Sequence, residues 1–358
     1  MKSSLFRNLF IAFLVIQFLF PLPEPVSAQQ SSIRQDQSDA VITRAFSYLQ
    51  SQINEDGGLP WVEESSSPAA TLRVILAQAA AGYPQDHVQT STGFQPIDYL
   101  AANASDWVTQ AGSEDPGLSI VRAGQVLTAI AAANQDPFAF GDPSLNLVYE
   151  LKAVYQPNVG IFGNSPEGSV LDQVWAILGL AANFNSIPKE AIDWLSSQQL
   201  VDGSWDDGYG SYLDTTPLAV MALIASGHRE NNSPDVQAGL AFFAASQEDN
   251  GGWQTEWDSM TNASTTGMIL QAIVAVGQDP TAEQWQKNDG NPVSALIALQ
   301  QENGAIGGDF TNTYSTSDAI LGLSAQPLFD LGYTRRINRG FEFIFQSQEE
   351  DVGWGSVG

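Results

Sequence analysis

Ser197-Gln198-Gln199-Leu200-Val201-Asp202-Gly203-Ser204-Trp205 is followed by Asp214-Thr215-Thr216 and an apolar run that ends at Gly227. The same succession returns as Ser246-Gln247-Glu248-Asp249-Asn250-Gly251-Gly252-Trp253, then Ser264-Thr265-Thr266 and an apolar run ending at Gly277. The tryptophans are 48 residues apart and the closing glycines 50. A fixed period in this range marks a repeat architecture, in which stacked units share one core.

Reading outward gives six helix pairs. The first helices are expected at residues 40–52, 96–111, 143–154, 189–199, 234–247 and 292–301. Each is amphipathic, as with Val236, Leu240, Phe243 and Ala244 at i, i+4, i+7 and i+8, so each buries one face. The second helices are apolar all round, as in Pro217-Leu218-Ala219-Val220-Met221-Ala222-Leu223, and such helices are buried on every side. One set is therefore outer and the other inner. Inner helices start near Ala69, Val121, Leu171, Asp214, Ser264 and Tyr314, with steps of 52, 50, 43, 50 and 50 residues. Asp214 or Ser264 is expected to cap its helix. Strand periodicity is scarce. The expected fold is all-α: an α/α toroid of about six inner/outer pairs, an α6/α6 barrel, over residues 39–358. The spacing is shared by an open solenoid, so it does not establish closure. A thirteenth helix, 334–348, has no inner partner, the pattern of a chain truncated at its C-terminus.

Lys2 and Arg7 precede an apolar run, Leu9–Phe20, and then Val26-Ser27-Ala28. This reads as a signal peptide over 1–28 and implies a secreted or cell-surface protein. Residues 29–38 are polar and are expected to be a flexible lead-in. With 13 Lys+Arg against 40 Asp+Glu, the chain repels nucleic acid and anionic lipid surfaces. It has no cysteine, so no disulfide and no thiol nucleophile. Only His87 and His228 remain as imidazoles, too few for a zinc site. No further stretch is long and apolar enough to span a membrane.

The pattern Gln-x-x-x-Gly-x-Trp occurs at Gln199/Gly203/Trp205 and at Gln247/Gly251/Trp253, with a looser copy at Gln348/Gly353/Trp354. Degenerate copies are Gln52…Gly57-Gly58…Trp61 and Gln300…Gly304. These resemble the glutamine–tryptophan repeats of the squalene-cyclase and prenyltransferase toroids, a superfamily that also holds the non-catalytic cobalamin carriers. A structural role fits the physics. The amide can satisfy helix-end groups, glycine allows a tight turn, and tryptophan buries a large apolar plate.

The resemblance implies an acid that protonates an alkene, carried by Asp-x-Asp-Asp-Thr-Ala at an inner-helix start. Laid on Asp214-Thr215, that motif puts Leu213 where the acid should be and Ser211 at the first aspartate. Asp172 and Asp318 are the remaining acids near inner-helix starts. The prenyltransferase zinc ligands are absent as well. No catalytic residue is assigned and no metal is expected; acidic loops such as Asp202–Gly208 lack the spacing of a calcium loop.

The favoured reading is a non-catalytic toroid binding a large, partly apolar small molecule, with cobalamin a ligand implied by the carrier branch, or binding a cell-surface protein. A cyclase-like enzyme with an atypical acid is the alternative, and an α/α-toroid glycosidase or lyase the third. The candidate cavity mouth is Asp172, Trp175, Tyr212, Asp214, Trp257 and Tyr314.

Overall fold

The computed structural model describes residues 26–331 apart from 114–115, 142–143 and 164–166, and the side chains from residue 37 onward. The expected leader up to residue 25, the thirteenth helix at 334–348 and the repeat residues Gln348 and Trp354 lie outside the described residues. The chain divides into two compact units, Met1–Ala40 and Val41–Gly358. The described part of the first unit is helical, and the ring of helices belongs to the second.

Twelve α-helices are found among the described residues. The outer set is α1 (Val26–Gln52), α3 (Pro96–Val108), α5 (Leu147–Ala153), α7 (Lys189–Ser197), α9 (Pro234–Ser246) and α11 (Pro292–Ala298). The inner set is α2 (Pro68–Ala80), α4 (Ile120–Ala132), α6 (Val170–Ala182), α8 (Tyr212–Ala225), α10 (Ala263–Ala275) and α12 (Thr313–Leu323). Each inner helix packs on the next in chain order, and α12 packs back on α2, so the ring is closed. Two of these contacts are especially tight. A methyl on Gly124 of α4 would lie 2.2 Å from the Trp175 carbonyl oxygen of α6, and one on Gly267 of α10 would lie 2.3 Å from the Asp318 carbonyl oxygen of α12.

The repeat residues tie each unit to its neighbour. Gln199 Nε2 donates to the carbonyl of Gly203 in its own turn (3.0 Å) and to Asp235 of the next outer helix (2.8 Å). Gln247 donates to Gly251 (2.8 Å) and Trp285 (2.9 Å). Gln300 donates to Gly304 (3.1 Å) and, across the closure, to Val41 (2.8 Å). Trp205 and Trp253 are fully buried, and their indole N–H groups donate to Leu195 and Phe243. A second link recurs. The backbone N–H of Leu59, Trp205, Trp253 and Ile306 donates to Thr71, Thr216, Thr266 and Thr316 of the inner helices. In the third repeat Phe162 donates to Gln173 instead.

Several expectations change. Residues 29–38 lie in helix α1 rather than in a flexible lead-in; the stretch has no Gly or Pro to break it. The first outer helix ends at the expected Gln52 and the other five end one to three residues before the expected limits; Gln199, Gln247 and Gln300 belong to the turns. A two-residue antiparallel hairpin, β1 (Tyr155–Gln156) with β2 (Ile161–Phe162), is present where no strand was expected. It is a further copy of the repeat turn, Gln156-x-x-x-Gly160-x-Phe162, with Phe in place of Trp. Leu59, not Trp61, fills the buried slot of the first repeat; Trp61 is 49% exposed. The cap of α10 is Asn262, which accepts from the N–H groups of Ser264 and Thr265, and this leaves Asp214 and Ser264 within the first turns of their helices.

Candidate functional site

The inner helices all begin at one end of the ring, and a cavity of about 420 Å³ opens there. All six contribute to its wall. An α-helix brings residues four apart to the same face. Val121/Gln125, Leu171/Trp175, Asp214/Leu218 and Ser264/Met268 line the cavity in this way, one pair per helix. On α2 the lining residue is Arg73, and on α12 it is Tyr314, with Asp318 one turn below it. Loop residues Trp61, Asp207, Asp309 and Phe310 form the rim.

The floor holds a charged group. Arg73 is the lone ionic residue of the apolar run Pro68–Ala80, and Asp318 is completely buried. Their side chains approach to 3.4 Å. This ion pair joins α2 to α12, the first and last inner helices, and so bridges the ring closure. Arg73 also donates to the Tyr314 hydroxyl at 2.8 Å. Its guanidinium lies over the rings of Tyr314 (4.9 Å) and Trp175 (5.6 Å), within cation–π range. Burial works against the Arg73 charge, but Asp318 and Tyr314 outweigh it and hold its pKa above the ordinary value. Burial pushes the Asp318 carboxyl up, with Arg73 and Ser264 pulling the other way. Burial likewise raises the Tyr314 hydroxyl.

Asp214 is the acid at the cavity wall. Thr265 Oγ1 of the next inner helix donates to its Oδ1 at 2.5 Å. Burial is the main cause that raises its pKa; Thr265 opposes this, and the charges of Asp258 and Asp207 add to it. A helix N-terminus ordinarily favours a carboxylate, so here desolvation wins over the helix dipole.

Of the six expected mouth residues, Trp175, Asp214 and Tyr314 converge on this cavity. Tyr212 and Trp257 line a separate pocket of about 170 Å³, whose wall Asp214 also reaches. Tyr212 precedes Asp214 by two residues, about 200° round the helix, and so faces away. Asp172 lines neither pocket; it sits one residue round from Leu171, half-buried, with its carboxyl pushed up by burial. Sequence reasoning missed Arg73, Trp61, Thr265 and Phe310. The signal for Arg73 was present, as a single charge inside an otherwise apolar inner helix.

Comparison with known proteins bears on the same region. Residues 168–262 match the squalene-hopene cyclase C-terminal domain. The chain is 24% identical over 214 residues to enfumafungin synthase efuA of Hormonema carpetanum, covering 47% of this chain and 16% of that protein. It is 27% identical over 173 residues to alpha-onocerin synthase LCD of Lycopodium clavatum, covering 41% of this chain and 21% of that one. The chain thus spans only a minor part of these relatives. Among solved structures, the type II terpene cyclase MstE from Scytonema superposes with a TM-score of 0.57 at 15% identity, over 81% of this chain and 98% of that one. A variant of the same cyclase has been solved in complex with its substrate, geranylgeranyl dihydroxybenzoate. With its squalene-hopene-type segment, its glutamine–tryptophan turns and its closed ring of helices, the chain resembles the prenyltransferase/squalene-cyclase repeat proteins and has a terpene-cyclase-like fold.

Proposed function

We propose that the toroid is a non-catalytic binding protein for a large, partly apolar molecule of isoprenoid type, held in the cavity at the inner-helix starts. The observation that carries this reading is the occupied aromatic floor. Arg73 already lies over the faces of Trp175 and Tyr314. In a cyclisation that runs through carbocations, those faces are the ones that would stabilise the travelling positive charge. A fixed guanidinium there takes up that surface and repels a second cation. The wall acid points the same way. A carboxyl whose pKa is raised by burial is a weak proton donor, whereas protonating an alkene needs a strong one. Aliphatic and aromatic side chains interleaved with polar ones suit a large, partly apolar ligand. Among the described residues the only strands are the two-residue hairpin, so cobalamin held between a toroid and a β domain finds no support there, and it is not the ligand proposed.

The second reading is a cyclase that uses Asp214 as an atypical acid. It is favoured by one observation, a carboxyl whose pKa burial raises, set at the cavity wall. One experiment separates the two. The protein is incubated with squalene and with geranylgeranyl dihydroxybenzoate, and both retained ligand and cyclised product are measured by mass spectrometry. Retention without product, lost in Trp175→Ala, is the expected result. Product that disappears in Asp214→Asn would establish the cyclase, and neither retention nor product would remove both readings. We further place the chain outside the cytoplasm, on the reading of residues 1–28 as a leader. N-terminal sequencing of protein recovered from the host should begin near Gln29; a chain beginning at Met1 would refute it.

A further inference from the structure

The second pocket, about 170 Å³, lies between the fourth and fifth repeats. Tyr212 from the start of α8, Phe242 from α9 and Trp257 from the loop before α10 supply three aromatic side chains. Glu256 and Asp214 supply two carboxyl groups, and among the described residues no lysine or arginine reaches the wall. The charged and aromatic groups converge: a point one bond out from Gly210 lies 3.9 Å from the Tyr212 ring and 4.0 Å from the Glu256 carboxylate oxygen.

Two features set these aromatics apart from the repeat tryptophans. Trp205 and Trp253 are fully buried with their indole N–H groups satisfied. Trp257 is 75% exposed and Tyr212 41% exposed. Nor is the Trp257 loop loose. Thr255 donates to Asp258 through both its N–H (2.9 Å) and its hydroxyl (2.7 Å), and the Asn262 amide holds the same carboxylate. The indole is therefore presented on a tied turn, and its exposure is built in.

We propose that this pocket binds a methylated ammonium group, the head of a small choline-type molecule. Such a cation keeps its charge at every pH and cannot donate a hydrogen bond. It is held by the negative faces of aromatic rings and by nearby carboxylates rather than by directed acceptors. Three aromatics and the Glu256 carboxylate, with the Asp214 carboxyl beside them, supply both in a pocket of this size. The chain's formal charge of −27 favours cation approach at long range.

The test uses the whole protein and isothermal titration with choline. A parallel titration uses 3,3-dimethylbutanol, which has the same shape without the charge. Choline should bind and dimethylbutanol should not. Trp257→Ala should weaken choline binding about ten-fold, as expected for loss of a cation–π wall, and Glu256→Gln should weaken it less. Tyr149→Ala, an exposed aromatic on α5, should change nothing. Equal binding of the two probes would show a merely apolar pocket and overturn the proposal. So would failure of choline to bind, or full affinity in Trp257→Ala. None of these outcomes bears on the larger cavity, whose ligand is tested separately.

Discussion

Replacing Gly304 with alanine tests whether the ring is closed as described. Gly304 has φ +93°, in the left-handed region, where a Cβ costs about 1–2 kcal/mol. The position is also crowded. A Cβ there would sit 2.3 Å from the carbonyl oxygen of Arg44 and 2.9 Å from its carbon, both on the first outer helix. Real contacts need roughly an ångström more, so α1 and the last repeat turn must part. Three hydrogen bonds cross that junction; the two shorter, Gln300 to Val41 at 2.8 Å and Arg44 to Gln301 at 2.9 Å, contribute about 1 kcal/mol each, and the longer one, Arg44 to Glu302 at 3.3 Å, less. The sum is about 3–4 kcal/mol. Gly82→Ala is the control, since Gly82 has φ +75° but nothing within 4 Å of the added methyl. It should cost only the backbone part, about 1–2 kcal/mol. Urea unfolding followed by tryptophan fluorescence measures both. A difference of about 2 kcal/mol is expected; equal losses would refute the closed junction.

Gln300→Ala should destabilise the protein about as much as Gln199→Ala, roughly 1–3 kcal/mol by the same unfolding assay, because each glutamine makes one bond to its own turn and one to the next outer segment. Arg73→Ala should cost about 3–5 kcal/mol, since it leaves the Asp318 carboxylate buried without its partner, and Arg73→Met with Asp318→Leu should recover most of that loss. Asp214→Asn should raise the melting temperature at pH 7 and leave it nearly unchanged near pH 3. The carboxyl's raised pKa means that its stability is fully present below the unfolded value and is lost as pH rises through the folded one, whereas asparagine keeps the neutral form throughout.

Much of the architecture was legible because the inner helices bury every face and so carry no polar stripe. The six expected starts fall within two residues of the observed ones, and they are largely the cavity-facing positions: Val121, Leu171, Asp214, Ser264 and Tyr314 all line it. What the sequence hid was what depends on partners distant along the chain. Closure rests on Gln300 meeting Val41, 259 residues away, and on Arg73 meeting Asp318, and no local pattern announces either. The first repeat misled because Trp61 is a more conspicuous residue than Leu59, yet backbone spacing from Gly57 gives Leu59 the buried slot. The third repeat escaped notice because Phe162 can fill a tryptophan's place when Gln173 takes the N–H. Tyr212 and Trp257 were aromatic and close in sequence to the right helix starts. Helical angle, not proximity, decided which pocket Tyr212 entered, and Trp257 is placed by the loop before α10.

Gln300 makes with the first outer helix the same bond that Gln199 makes with the helix after it. A stack with free ends can gain or lose a unit in evolution and merely become longer or shorter. Among the described residues the ring of inner helices presents no free end at which to add one. A seventh unit would have to be spliced into every angle of the circle at once, widening the central space and breaking the Arg73–Asp318 bridge. The closure bond and the bridge thus leave the side chains at the mouth and the loops between helices as the parts that can change without reopening the ring.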